Sequence, residues 1–303
     1  MSVIFPFQQP TGESLSIGPS QGMAIAIDKD IVVKIPFQYQ VSPGTDFSHC
    51  WDLSIKSFIA MENEMVIYDA LQVHPHRNFA QRLEPCTADY LFLERLDPLE
   101  KVWRLATRDD RVQWALGLLD AMSWLEKLGF VHGDLAVRNL GVDKTNTLKV
   151  FDFGSSFLYE SANDLIADHF DLSTFLHFIL SGVDPFAGVQ SHADVIDLRK
   201  KLKAGRWTIA EGAEVIGDII EGGWTGSTGT QSFTDTFKQV ATILGTPNLS
   251  LDSDSMTTDY PSLGLRCQDW LRKNQRNPAW KKIDEYIAKC RNAGHDRDLD
   301  HFR

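Results

Sequence analysis

Cysteine is scarce in this 303-residue chain: Cys50, Cys86, Cys267 and Cys290 lie far apart, with no metal-type spacing. That excludes a disulfide scaffold and a thiolate cluster, and points to reduced thiols in a cytosolic or nuclear protein. Basic residues are also few, 30 Lys and Arg against 41 Asp and Glu, for a formal charge of −11. Nucleic acid as main partner and a basic membrane-binding surface both need clustered cations, so neither is expected. The longest apolar stretches, such as Phe175 to Leu180, fall far short of the roughly 20 residues of a membrane-spanning helix. No Lys or Arg precedes an apolar run at the N-terminus, so no secretory signal is expected. Internal repeats and low-complexity tracts are missing too, and His74 and His76, flanking Pro75, read as a loop after a helix rather than a ligand pair. What is present is 43% hydrophobic residues, enough to fill one large domain or two packed lobes.

The most informative stretch is Val131 to Gly154, VHGDLAVRNLGVDKTNTLKVFDFG. Asp134 and Asn139 stand five positions apart, and Asp152 opens an Asp-Phe-Gly triplet eighteen positions after Asp134. Taken singly, each is an ordinary turn or capping residue. Together, in type, order and spacing, they resemble the catalytic and metal-binding loops of protein kinases. The resemblance implies an α+β, bilobal protein kinase-like fold, with a β-rich N-lobe holding one main helix and a mostly helical C-lobe. It also implies ATP and Mg²⁺ as cofactors, and transfer of the γ-phosphoryl group to a hydroxyl acceptor. That chemistry requires positioning of the acceptor, a cation on the phosphates and neutralisation of charge. Asp134 would accept or orient the hydroxyl proton, while Asn139 and Asp152, as oxygen donors suited to a hard cation, would ligate Mg²⁺.

Further motifs extend the resemblance on both sides. Residues 15 to 36 alternate around small residues and predict two strands joined by a turn at Asp28 to Asp30. Gly18 and Gly22 precede the first strand like a shortened phosphate-covering loop, although a hairpin needing glycine for its backbone explains them as well. Val32-Val33-Lys34-Ile35 resembles the kinase strand whose lysine binds the α- and β-phosphates, and a helix is expected from about Ile55 to Leu71. Glu64 on that helix is the expected partner of Lys34, with Glu62 as the alternative. The run Tyr90 to Leu96 resembles the hinge between lobes, where backbone groups near Glu94 and Leu96 would bond adenine and Leu93 would guard the pocket behind it. A long amphipathic helix is expected over Arg108 to Gly129, N-capped by Thr107 and C-capped by Gly129. Asp171 resembles the helix aspartate that props up the catalytic loop, or is an ordinary helix N-terminal charge. Helices around 192–204, 210–221, 231–245 and 265–290 would complete the second lobe. The expected division is 1–96 for the N-lobe, 97–290 for the C-lobe and 291–303 for a charged, frayed tail.

The pattern also departs from the family. Gly133 stands where regulated kinases carry an arginine that clasps a phosphorylated loop, so that switch should be absent. Sixteen residues separate Gly154 from Asp171, too few for a full activation segment, and no Ala-Pro-Glu triplet follows, with Glu160 its only candidate remnant. Ala136 replaces a common lysine, while Arg138 sits as in tyrosine kinases and could supply the cation to the transferring phosphate. HGDL and the trimmed segment are similar to small divergent kinases of filamentous fungi. Three functions stay open: an active protein kinase, a pseudokinase binding nucleotide or a partner without turnover, and a small-molecule kinase of aminoglycoside or choline type. The acceptor, protein or small molecule, and the oligomeric state are left undetermined.

Overall fold

Along Ile31–Ile35 the side chains alternate, Ile31, Val33 and Ile35 buried and Val32 and Lys34 partly exposed, the pattern of a strand with one face on a core. The computed structural model describes residues 2–16, 21–42, 47–85, 87–227, 231–245 and 259–295. The chain divides into two units, one of 1–73, 81–95 and 257–303, the other of 74–80 and 96–256.

In the first unit, β1 (Val3–Ile4) pairs with β5 (Gln38–Tyr39). A four-stranded antiparallel sheet runs in the order β2 (Glu13–Ser14), β3 (Met23–Ala26), β4 (Ile31–Ile35) and β6 (Leu91–Glu94). The expected turn between β3 and β4 is built by Asp28, whose carboxylate accepts from the N–H groups of Asp30 at 2.8 Å and Ile31 at 3.1 Å. The long helix α1 (Ser48–Val73) begins earlier than the expected Ile55. Its additional N-terminal turns continue a buried stripe, Trp51, Ile55 and Phe58, at the i, i+4, i+7 spacing of one helix face.

The second unit is mainly helical. It opens with β7 (Asp97–Pro98), the short α2 (Leu99–Trp103) and α3 (Arg108–Lys127). Thr107 caps α3 as expected: Asp110 N–H donates to its Oγ1 at 3.2 Å, and Asp110 Oδ2 accepts from Thr107 N–H at 2.8 Å. The chain then forms β8 (Phe130–Val131), β9 (Leu140–Val142), β10 (Leu148–Val150) and β11 (Phe157–Leu158). β9 pairs with both β7 and β10, and β11 with β8. α4 (Ile166–Ser181) is buried almost all round and packs on α3 and α6 (Gly217–Thr225). α5 (His192–Lys203) lies against α6, and α7 (Phe233–Leu244) against α3. The helix expected over 210–221 starts only at Gly217, after a 3₁₀ turn at Glu214–Ile216.

The end of the chain corrects the expected division. In place of one helix over 265–290 there are two, α8 (Tyr260–Lys273) and α9 (Ile283–Asn292). Asn274 stops α8 by turning its side chain back to the Trp270 carbonyl at 2.8 Å, and Pro278 removes a donor from the connection. Both helices belong to the first unit, not the second. Leu263, Cys267 and Trp270 of α8 share a core with Phe7, Ile25, Ile31, Val33, Ile35 and Phe92, whereas Tyr286, Ile287 and Cys290 of α9 share one with Trp51, Ile55 and Phe58 of α1. Nor is the beginning of the tail frayed, since His295 lies 5.1 Å from the Phe47 ring. Residues 296–303 lie outside the described part.

Candidate functional site

The expected residues fall into two groups, one in each unit. In the first, Lys34 on β4 and Glu64 on α1 form an ion pair. Glu64 is fully buried, and Glu62, the alternative, is exposed. A carboxylate withdrawn from water needs a cation beside it, so helix and strand are tied at this point. Gly22 precedes β3 where an added Cβ would lie 3.1 Å from the Ile35 carbonyl and 3.4 Å from Lys34 Cε. The chain therefore passes close over the lysine. Gly18 lies outside the described residues.

Leu93 is buried in β6, and Glu94 follows it. The Glu94 N–H donates to the Gln81 carbonyl at 3.0 Å. Its carboxylate accepts from Gln81 N–H at 2.8 Å and from the Tyr260 hydroxyl at 3.3 Å. Both the side chain and the N–H of Glu94 thus serve the first unit itself. The division between units falls after Arg95, which leaves Leu96 in the second.

In the second unit, Asp134 and Asn139 lie on the loop between β8 and β9, which closes with a 3₁₀ turn at Val137–Asn139. Asn139 is buried and donates from Nδ2 to the Asp134 carbonyl at 2.7 Å, while its own carbonyl accepts from Phe151 N–H at 3.1 Å. That bond brings the residue before Asp152 against Asn139. Asp152 itself has φ 68, a left-handed conformation in which Asp is enriched among residues other than glycine. Phe153 next to it is fully buried, its ring 5.3 Å from His132 and 5.8 Å from Phe79. Arg138 donates from one guanidinium nitrogen to both Asp134 oxygens, at 2.8 and 2.7 Å, and its side chain is 67% exposed.

The aspartate that supports this loop is Asp168, not Asp171. Its carboxylate accepts from the N–H groups of His132 at 2.7 Å and Gly133 at 3.0 Å, fully buried at the start of α4. Burial pushes the Asp168 carboxyl up, opposed by His132 and these two donors, and pushes the His132 imidazole down. The sequence carries a signal for this register: Ser161 and Asp164 form a capping box ahead of α4, which places Asp168 in the first turn. Asp171 instead pairs with Arg199 of α5 at 2.8 Å. Burial, opposed by Arg199 and reinforced by Asp168 and Asp134, raises its carboxyl to about 7. Arg199 and Ser156, which donates to the His132 carbonyl at 2.9 Å, also went unnoticed in the sequence.

Gly133 has φ 76, and a Cβ there would come 2.3 Å from the Ser155 carbonyl. No larger residue fits without moving the segment after Gly154. That segment is short and regular: β11 pairs with β8, Tyr159 N–H donates to the Gly129 carbonyl at 3.1 Å, and the Ser161 cap leads into α4. Glu160 is exposed and donates its N–H to Asp164 at 2.9 Å. It acts as part of a turn rather than as a buried anchor.

Among the described residues, no three His, Cys, Asp or Glu side chains gather into a metal cage, and no helix is long and apolar enough to cross a membrane. One carboxylate and one amide do suit a cation that takes its other ligands from phosphate and water.

Residues 69–170 match the family model for protein tyrosine and serine/threonine kinases. The insulin-like receptor of Caenorhabditis elegans is 45% identical over 47 residues, 16% of this chain and 2% of that protein. CBL-interacting protein kinase 28 of Oryza sativa is 27% identical over 146 residues, 47% of this chain and 30% of the relative. A putative tyrosine-protein kinase of C. elegans is 38% identical over 76 residues, 24% of this chain and 9% of its own length. The chain thus spans less than a third of each of these relatives. The similarities support a protein kinase-like family, and the β-rich first unit and helical second unit are those of the α+β, bilobal kinase-like fold.

Proposed function

We propose that this protein kinase-like chain is an ATP- and Mg²⁺-dependent phosphotransferase acting on a hydroxyl of a protein or small-molecule acceptor. The observation that carries this conclusion is the bonding of the Asp134 loop: Asp168 holds it from one side, and Asn139 ties it to the Phe151–Phe153 stretch from the other. Such fixing of the polar groups before substrate arrives is what phosphoryl transfer asks of a protein. On this reading Asp134 orients the acceptor hydroxyl and takes its proton. Arg138, whose side chain is exposed, turns from Asp134 to the transferring phosphate. Lys34, braced by Glu64, meets the α- and β-phosphates. The Glu94 N–H being engaged with Gln81, adenine would meet the carbonyl of Glu94 and the N–H of Leu96, with Leu93 behind it and Gly22 above the phosphates. Asp152 and the Oδ1 end of Asn139 would hold Mg²⁺, which when bound neutralises phosphate charge.

The acidic charge and sparse cysteines fit a cytosolic or nuclear protein without nucleic acid as partner. HGDL and the short segment set it, in our view, beside the divergent kinases of filamentous fungi. The brief span of β11 and the Ser161 turn leaves little platform for a peptide, which favours a small-molecule acceptor as the second reading. A pseudokinase would bind nucleotide without turnover.

A thermal-shift series with ATP, ADP and Mg²⁺ tests the proposal through ligand-linked stabilisation. Asp152→Ala should abolish the Mg²⁺-dependent part of the shift. Asp134→Ala should retain nucleotide binding and lose hydrolysis or autophosphorylation. A wild type as inert as Asp134→Ala would leave the pseudokinase, and an unchanged Mg²⁺ shift in Asp152→Ala would remove that residue from the metal site.

A further inference from the structure

Resting on the phosphotransferase reading, we propose that segment 259–295 is an internal brace that sets the Lys34–Glu64 pair, with Tyr286 as its positioning residue on α1. The pair joins a strand to a helix, and two elements keep such a meeting only if something fixes their spacing. The same C-terminal segment grips both. On the sheet side, Arg266 of α8 donates to the Asp28 carboxylate from Nε at 3.1 Å and to Asp30 from Nη1 at 2.9 Å, holding the β3–β4 turn. Trp270 lies edge-on to Phe7 and Phe92 and donates to the Thr11 carbonyl at 2.8 Å.

On the helix side, the Tyr286 hydroxyl sits 3.0 Å from both the Tyr39 carbonyl and Ser54 Oγ. Ser54 Oγ in turn accepts from Tyr39 N–H at 2.9 Å. One buried phenol therefore fastens α9, α1 and β5 together, and with Trp51, Ile55 and Phe58 it forms the core beneath α1. Between the helices, Arg276 and Trp280 both bind Asp89, each at 2.8 Å, and the Trp280 ring lies 5.3 Å from Phe58. Because Glu64 is fully buried, a shift of α1 that separated it from Lys34 would strand a carboxylate away from water. Holding α1 thus holds the pair. With Gly133 in place of a phosphate-clasping arginine, this grip makes the phosphate-binding lysine ready without a modification of the loop.

The test uses the full chain with Tyr286→Phe, which removes the hydroxyl and keeps the ring. Affinity is measured for Mg²⁺–ATP and, as a probe that lacks phosphates, for adenosine. Mg²⁺–ATP affinity should fall by about fivefold or more while adenosine affinity changes by less than about twofold. Adding Glu64→Gln to Tyr286→Phe should weaken Mg²⁺–ATP no further than Glu64→Gln alone, since the two act through one contact. Equal losses for both ligands, no loss, or additive losses would overturn the brace. A second measurement does not depend on nucleotide: hydrogen exchange of α1 amides near Glu64 in the ligand-free protein should speed up in Tyr286→Phe but not in Leu202→Ala, a core variant of the second unit. Unchanged exchange overturns the brace on its own. A wild type that binds neither ligand overturns the phosphotransferase premise instead, and the exchange result then decides the brace.

Discussion

Asp171 shows how one carboxyl can carry a pH dependence. Its folded value of about 7 stands above the unfolded value near 4, so within that window the folded state holds a proton that the unfolded state has lost. The associated stability is complete below about pH 4 and gone once pH has risen past about 7. Asp171→Asn removes the proton and hence the slope. Urea denaturation of both proteins near pH 5 and near pH 8 should show the wild type losing up to about 3 kcal/mol relative to the variant. A constant difference would mean that Arg199 keeps Asp171 ionised throughout. The comparison must be between the two proteins, because His169, lowered to about 4 by burial, works the other way: its contribution is present above its unfolded value and lost as pH falls toward 4. In the sequence, Asp171 and Asp168 looked alike. Only the capping box that fixes where α4 begins separates the loop support from the partner of Arg199.

At the scale of elements, the Asp134 loop and the segment after Gly154 pack together, joined by Ser156 to the His132 carbonyl and by β11 to β8. Gly133 is the place where they touch. Gly133→Ala should cost at least about 1 kcal/mol from its left-handed φ alone, more with the contact to Ser155, and proteolysis within 155–160 should accelerate with it. Denaturation midpoints equal to wild type would refute that contact. The Lys34–Glu64 pair, thirty positions apart, was legible only through the resemblance to kinases, whereas short-range features were readable beforehand: the β3–β4 hairpin from alternation and Asp28, and the α3 cap from Thr107. Each rests on residues near in sequence or on a fixed period. The start of α1 was missed because Trp51 faces α9, a partner that sequence alone does not identify.

The same limit applies to the whole molecule. Nothing in the composition of α8 says which unit it joins, since an amphipathic helix fits any apolar face, and here that face is the sheet made by the first ninety-odd residues. Trp270→Ala should therefore destabilise the first unit, by about 3–5 kcal/mol for a buried indole, while the second unit keeps its structure. Urea unfolding followed by tryptophan emission together with exchange of α4 amides would check this, and simultaneous loss of both units would contradict it. A chain leaving the ribosome releases β1 to α1 well before Trp270 and Tyr286. The second unit can settle during synthesis, but the sheet and α1 wait with bare apolar faces until α8 and α9 have emerged. A premature stop codon anywhere ahead of Tyr260 would leave a polypeptide that chaperones hold and proteases remove.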